Sequence, residues 1–284
     1  MNAPLSIAIP VIKIAGGKRQ LLPEILPRLP SKISTYYEPF IGGGAVFFAL
    51  ANGRCFKRAV LGDSNADLIN LYTQLRDKPA AVLAHLRTHT ANSSKDYYYE
   101  QVDRSLSEGP AGAARFMYLN RACFNGLVRY NQSGQFNTPY GDGRLRAVDG
   151  DAIRAASAAL QGVKLVCGDF EKLMAKPGVG DATFCDPPYL PVSATSNFTT
   201  YGADGFGVAD HERLADCVAG CVKRGANVLL SNSDTPESRR IFGRGQWELE
   251  KVSARRSINS KGDGRGAVGE ILVTAPKRSR KVVK

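Results

Sequence analysis

Apolar positions fall into short continuous blocks that alternate with helically spaced stretches at both ends of the chain. Residues 34–40 form the first block and run into Gly42, Gly43 and Gly44. That order predicts a strand, a glycine turn and then a helix over 45–51. Residues 58–62 predict a second short strand, ending at Asp63. Over 65–76 the residues Leu68, Ile69, Leu71, Tyr72 and Leu75 share one face of a predicted helix. After residue 160 the alternation returns. Residues 163–167 and 182–186 predict strands, 208–223 a helix and 227–231 a strand. Residues 247–252 and 270–274 suit a closing antiparallel pair. Strands and helices in alternation, with strands that are apolar throughout, predict an α/β fold built on a doubly wound, mostly parallel sheet.

The middle of the chain breaks this rhythm. Residues 79–121 read as helical and polar, and 122–147 are rich in Gly, Asn, Arg and aromatics without a period. An inserted helical and looped domain is expected at 72–160, dividing a domain formed by 1–71 and 161–276. Residues 277–284 are a basic tail.

Composition narrows the partners. The chain has 284 residues, 43% of them apolar, enough for one large core or a core with a small second domain. The formal charge is +12, from 38 Lys+Arg against 26 Asp+Glu. This points to a polyanion, nucleic acid first and an anionic membrane surface second. Six cysteines occur without a C-x-x-C pair or a zinc-like set, and read as reduced, mostly buried groups of a cytoplasmic protein. No metal site is expected. No stretch approaches twenty apolar residues, and 1–14 lacks the features of a secretion signal.

Three motifs carry chemistry. In the first, Glu38-Pro39-Phe40-Ile41-Gly42-Gly43-Gly44, glycines directly after a strand let a ligand approach the main chain. Asp63, nineteen residues beyond Gly44, ends the next strand, where a carboxylate can accept both hydroxyls of a ribose. Together they suggest a nucleoside-containing cofactor. The second is Asp186-Pro187-Pro188-Tyr189 at the end of a predicted strand. An exocyclic amine on a base is a poor nucleophile because its lone pair is delocalised. Two acceptors aimed at its two hydrogens, the Asp186 carboxylate and the Pro187 carbonyl, draw the nitrogen toward tetrahedral geometry. The prolines stiffen the turn, and Tyr189 offers a stacking face. The third, Lys13-Ile14-Ala15-Gly16-Gly17-Lys18, places a lysine beside a glycine pair and suits an amino-acid carboxylate.

With these motifs in order, the chain resembles the Dam-type, alpha-group DNA adenine-N6 methyltransferases over residues 11–275. The likeness extends through Leu61-Gly62-Asp63-Ser64-Asn65, through 118–131, through 134–141, and through Ser193, Thr195, Phe198 and Tyr201. It implies S-adenosylmethionine as donor, S-adenosylhomocysteine as product, no metal, and the N6 of a flipped adenine in double-stranded DNA as acceptor. Domain 1–71 with 161–276 becomes the cofactor-binding catalytic domain, and 72–160 the target-recognition domain. By the same resemblance Asp63 holds the ribose, Lys18 the methionine carboxylate, and Asp169 the cofactor's adenine amine, with Phe170 packed nearby. Glu38, Phe40, Gly42, Gly44 and Asp186 complete that pocket. Ile14 stands where members commonly carry Trp, so an aromatic stack is replaced by aliphatic packing. Phe124 corresponds to a wedge in the base stack, Asn125 to a residue facing the orphaned thymine, and Arg129 to a guanine reader with Leu127 beside it. Asn131 falls in the same loop. Lys13, Arg121, Arg144, Arg146, Arg255, Arg256 and Lys261 are candidate phosphate contacts. Residues 197–206 suit a loop that closes over the flipped base. Cytosine N4, an RNA adenine or a protein glutamine are competing acceptors, and a DNA-binding protein with an inactive site is the non-enzymatic alternative. Asp186 favours adenine, and the intact tetrapeptide argues against inactivity. Neither the recognition sequence, nor a restriction partner, nor monomer against homodimer is specified by the sequence.

Overall fold

The computed structural model describes residues 6–104, 108–131, 134–141, 145, 149–191, 205–244, 247–255 and 267–276. The chain enters through a single turn of helix, α1 (Leu22–Ile25), then β1 (Ile33–Glu38), α2 (Ala45–Asn52), β2 (Phe56–Asp63) and α3 (Ala66–Asp77). Four helices follow: α4 (Pro79–Ala91), α5 (Lys95–Asp103), α6 (Gly109–Ala122) and α7 (Gly150–Leu160). The rest runs β3 (Lys164–Cys167), α8 (Phe170–Met174), β4 (Ala182–Cys185), α9 (Val208–Lys223), β5 (Asn227–Ser233), α10 (Pro236–Phe242), β6 (Glu248–Arg255) and β7 (Ala267–Ala275).

These strands form one seven-stranded sheet in the order β3-β2-β1-β4-β5-β7-β6. The first five are parallel, and β7 inserts antiparallel between β5 and β6. The doubly wound sheet and its antiparallel closing pair are therefore as expected. Strand order reverses between β1 and β4, which makes their carboxyl ends the switch point where open α/β sheets take ligands.

Alternation along the strands shows why the sheet is covered on both faces. Phe184, Leu229 and Leu272 belong to one buried cluster, together with residues of α1–α7. Their neighbours Cys185, Val228, Leu230, Ile271 and Val273 belong to a second cluster with α8–α10. A period of two sends successive side chains to opposite faces.

The expectation of a polar helical stretch at 79–121 is corrected. In α6 the residues Gly112–Asn120 and Ala122 are all buried. Its small residues, Gly112, Ala113 and Ala114, let α3 and α4 pack close on either side. Such residues score as neutral in the sequence, so the burial is invisible to a polarity count. Residue 72, expected as the edge of the insert, lies within α3, and α3 and α6 share the first cluster. All six thiols are free, and Cys167 is exposed whereas Cys123, Cys185 and Cys221 are buried. Among the described residues no helix is long and apolar enough to cross a membrane.

Candidate active site

The glycine turn after β1 is fixed from two elements. Asp63, at the tip of β2, accepts the Gly42 N–H at 3.2 Å and the Asn65 N–H at 3.0 Å. Tyr72 of α3 donates its hydroxyl to the Gly42 carbonyl at 2.8 Å. Gly44 caps α2 at φ 72°, and a Cβ there would lie 3.1 Å from the Tyr72 Oη. Both the left-handed backbone and the lack of space require glycine. Ile14 stands directly beside the turn, about one van der Waals contact (3.9 Å) from where a Gly42 Cβ would be. Burial pushes the Asp63 carboxyl up to about 6, against the pull of the N–H groups of Asn65, Gly42 and Ser64. Glu38, at the end of β1, is buried and accepts the Tyr36 hydroxyl at 2.7 Å. Burial, and then the neighbouring Asp186 charge, hold its carboxyl well above the usual range, so the two acids avoid like-charge repulsion.

An aromatic wall continues the cradle. Phe40 lies 5.4 Å from Phe170 and 5.7 Å from Phe206, centroid to centroid. Asp169 caps α8 through the Glu171 N–H at 2.8 Å and pairs with Arg213 at 2.9 Å. The Arg213 guanidinium also lies 4.9 Å from the Phe170 ring centroid and binds Glu171 and Asp210. Burial raises the Asp169 carboxyl, but the Glu171 N–H and the Arg213 guanidinium outweigh it and leave a net lowering.

The tetrapeptide 186–189 begins where β4 ends, beside the β1 turn. Asp186 Oδ1 accepts the Ser231 hydroxyl at 2.7 Å and the Lys18 ammonium at 2.8 Å. Among the described residues no hydrogen bond reaches its Oδ2. Lys18 is buried, donates to the Gly16 carbonyl at 2.6 Å and sits 4.7 Å from the Tyr189 ring centroid. The Tyr189 hydroxyl donates to Glu270 of β7 at 2.8 Å. Burial, Asp186 and Glu270 all raise the Tyr189 phenol, keeping it a donor. The loop's far end is also held: Leu190 N donates to Asn232 Oδ1 at 3.2 Å, and the Leu190 carbonyl accepts Ser233 Oγ at 2.7 Å. The sequence alone thus names Asp186, Tyr189 and Lys18 but misses Ser231, Glu270 and Arg213. The one available signal is a hydroxyl–amide–hydroxyl run, Ser231-Asn232-Ser233, closing an apolar strand.

The loop after α6 forms a separate surface. Phe124–Gly126 makes one tight turn with Asn125 at φ 57° and Gly126 at φ 68°. Asparagine tolerates that left-handed conformation better than most residues. Phe124 is 48% exposed, and Asn125 and Lys13 are exposed. Buried Asn120 ties the turn down: its amide oxygen accepts Lys13 N at 3.0 Å, and its nitrogen donates to the carbonyls of Lys13 (2.7 Å) and Gly126 (3.2 Å). Arg129 lies on the exposed surface, with its guanidinium held on Asn137 at 2.7 Å through Nε. Asn131 closes a hairpin, accepting Gln135 N at 2.9 Å. Leu127 is half-buried, and its carbonyl accepts Thr138 Oγ1 at 2.7 Å. Tyr130 reaches back toward the start of α3, donating to Asp67 at 2.9 Å and accepting from Asn65 at 3.2 Å. Arg121 ends α6 half-buried, and Arg255 ends β6. Ser193, Thr195, Arg144, Arg146, Arg256 and Lys261 lie outside the described residues, as does all of 197–206 except Gly205 and Phe206.

A glycine turn and an Asp-Pro-Pro-Tyr loop flank the switch point of the doubly wound sheet, the place where open α/β sheets take ligands. The family comparison matches residues 15–258 to the D12 class N6 adenine-specific DNA methyltransferases, and the chain belongs to that family. It is 40% identical over 276 residues to the type II methyltransferase M1.LlaDCHI of Lactococcus lactis, covering 93% of this chain and 94% of that one. It is 36% identical over 265 residues to the DNA adenine methylase of Escherichia coli, covering 92% and 93%. A type II methyltransferase of Methanocaldococcus jannaschii, M.MjaIII, is 35% identical over 93% of this chain and 98% of that one. The chain is accordingly an adenine-specific DNA methyltransferase acting at N6.

Proposed function

We propose that this enzyme uses S-adenosylmethionine to methylate an adenine swung out of double-stranded DNA, with Asp186 and Pro187 gripping the amine. The observation that carries the reading is Asp186 at the switch point, with Oδ1 occupied by two donors and Oδ2 facing none among the described residues. Oδ2 and the Pro187 carbonyl are the two acceptors that an N6 amine needs. Tyr189 stacks on the base through the face opposite Lys18.

The residues of the cradle fit the donor. Asp63 takes the ribose hydroxyls with the acceptor capacity that its backbone partners, the N–H groups of Asn65, Gly42 and Ser64, leave unused. Phe40, Phe170 and Ile14 enclose the adenine end, and Asp169 accepts its amine. Lys18 has three N–H donors, two of them used by Asp186 and Gly16, so one is left for the methionine carboxylate. The donor supplies an electrophilic methyl on a sulfonium. The protein orients the amine in line with it and holds the base still, so that proximity does most of the work. The proton leaves to solvent.

Residues 1–71 and 161–276 form the catalytic unit, and 72–160 the recognition unit. Phe124 wedges into the stack, Asn125 faces the orphaned base, Arg129 reads a guanine, and Lys13 and Arg121 contact phosphates. Acting on DNA, the enzyme works in the cytoplasm at the nucleoid. The test is transfer of a labelled methyl from the donor to duplex and single-stranded DNA, followed by nucleoside analysis. N6-methyladenine in the duplex is the expected product, and equal or greater labelling of single strands would overturn the duplex assignment.

A further inference from the structure

Ser231, Asn232 and Ser233 close β5, and each bonds the loop that carries the tetrapeptide. Ser231 is fully buried. Its hydroxyl has one hydrogen and three partners in range, Asp186 Oδ1 at 2.7 Å, the Cys185 carbonyl at 3.4 Å and the Tyr189 hydroxyl. The shorter, charge-assisted bond takes the hydrogen. Asn232 and Ser233 bond the two backbone groups of Leu190 at the other end of the loop. The loop is thus pinned at both ends by one strand terminus.

We infer that Ser231 is a positioning residue for methyl transfer: its hydroxyl fixes one oxygen of Asp186 so that the other is presented to the target amine. The inference rests on the role proposed for Asp186 above. A carboxylate rotates about its last bond, and only a fixed partner holds one oxygen away from the substrate. Lys18 reaches the same Oδ1, but it comes from a different segment and is shared with the Gly16 carbonyl. Ser231 adds no charge, so it sets the direction of Asp186 without neutralising it. It stands 45 residues from Asp186 in sequence, on the neighbouring strand of the sheet.

The experiment compares the full-length enzyme with Ser231→Ala, Ser231→Cys and Ser233→Ala. It reads single-turnover methylation of a duplex and equilibrium binding of cofactor and DNA. Ser231→Ala should slow transfer by about 10–100-fold, the scale set by small misplacement of a reacting group. Both binding constants should stay within about twofold, since catalysis here depends on orientation rather than ground-state affinity. Ser231→Cys keeps the volume and a weak donor, and should fall between. Ser233→Ala loosens only the Leu190 end and should slow transfer less than Ser231→Ala does. A Ser231→Ala enzyme with wild-type rate, one whose binding constants fall in step with its rate, or a Ser231→Cys enzyme as slow as Ser231→Ala, would overturn the inference. An Asp186→Ala enzyme that still methylates would instead sink the reading beneath it.

Discussion

The two working surfaces are built in opposite ways. At the carboxyl edge of the sheet, the reactive loop is bonded by side chains from β5, β7 and the N-terminal segment, through Ser231, Asn232, Ser233, Glu270 and Lys18. The turn at 124–126 and the hairpin behind it are held mostly by their own backbone, with Asn120, Tyr130 and Tyr98 among the ties to the rest of the molecule. The first is preorganised for one geometry. The second keeps an aromatic tip in solvent on a short tether. In the function proposed above, chemistry on an amine needs fixed acceptors, whereas a surface entering DNA has to accommodate what it meets.

Removing the centre of the rigid surface gives the largest effect. Asp186→Ala deletes one of the two proposed acceptors and should lower single-turnover methylation by about 10²–10³-fold. DNA binding should survive, because that surface is elsewhere. A parallel loss of binding and of thermal stability would show that the two surfaces are not separable.

Removing the main tether of the second surface comes next. Asn120→Ala leaves the backbone groups of Lys13 and the Gly126 carbonyl without their buried partner. The cost is about 2–3 kcal/mol of stability, from the stranded polar groups. Calorimetry should record the loss, and DNA affinity should fall more than cofactor affinity. Cofactor affinity falling further would place the tether in the wrong region.

Much of this contrast was legible before any coordinates. The parallel strands, the glycine turn, Asp63 and the tetrapeptide are each a local pattern, and each stands where its pattern implies. The supporting partners are not local. Ser231 lies 45 residues from Asp186, Glu270 lies 81 from Tyr189, Arg213 lies 44 from Asp169 and Asn120 lies 107 from Lys13. Sequence periodicity reports neighbours a few positions apart, so partners brought together by sheet order leave no trace in it. Arg129 and Asn131 show the same limit at shorter range. Their side chains bond within the hairpin, to Asn137 and Gln135, which a residue type alone does not disclose.

Phe124 sharpens the contrast at a smaller scale. It is 48% exposed, so Phe124→Ala should leave thermal stability unchanged within about 0.5 kcal/mol. In the wedge role proposed for it, Phe124 should still matter for duplex substrates. Methylation of a paired adenine should slow by about tenfold, and that of a mispaired one by less, since a mispaired base needs less unstacking. Equal slowing on both substrates would remove the wedge role.

The smallest effect belongs to Asp63, which is rigidly held yet titratable. Its carboxyl is raised by burial to about 6, from an ordinary 3.8. Protonation removes acceptor capacity that the ribose hydroxyls need in the binding mode proposed above, so cofactor affinity should fall as pH drops through 6. Between pH 7.5 and 5.5 the decline is about fourfold for a single group of that pKa. Stability runs the other way. The folded protein keeps this proton to higher pH than the unfolded chain does. The group therefore favours folding fully below about 3.8, and that contribution is lost as pH rises through 6. Titration calorimetry with the donor across this window checks the first part, with Asp63→Asn as reference. The variant should bind more weakly at pH 7.5 and show a flat profile. An unchanged slope in Asp63→Asn would assign the pH dependence to another group and leave Asp63 as a purely structural anchor of the glycine turn.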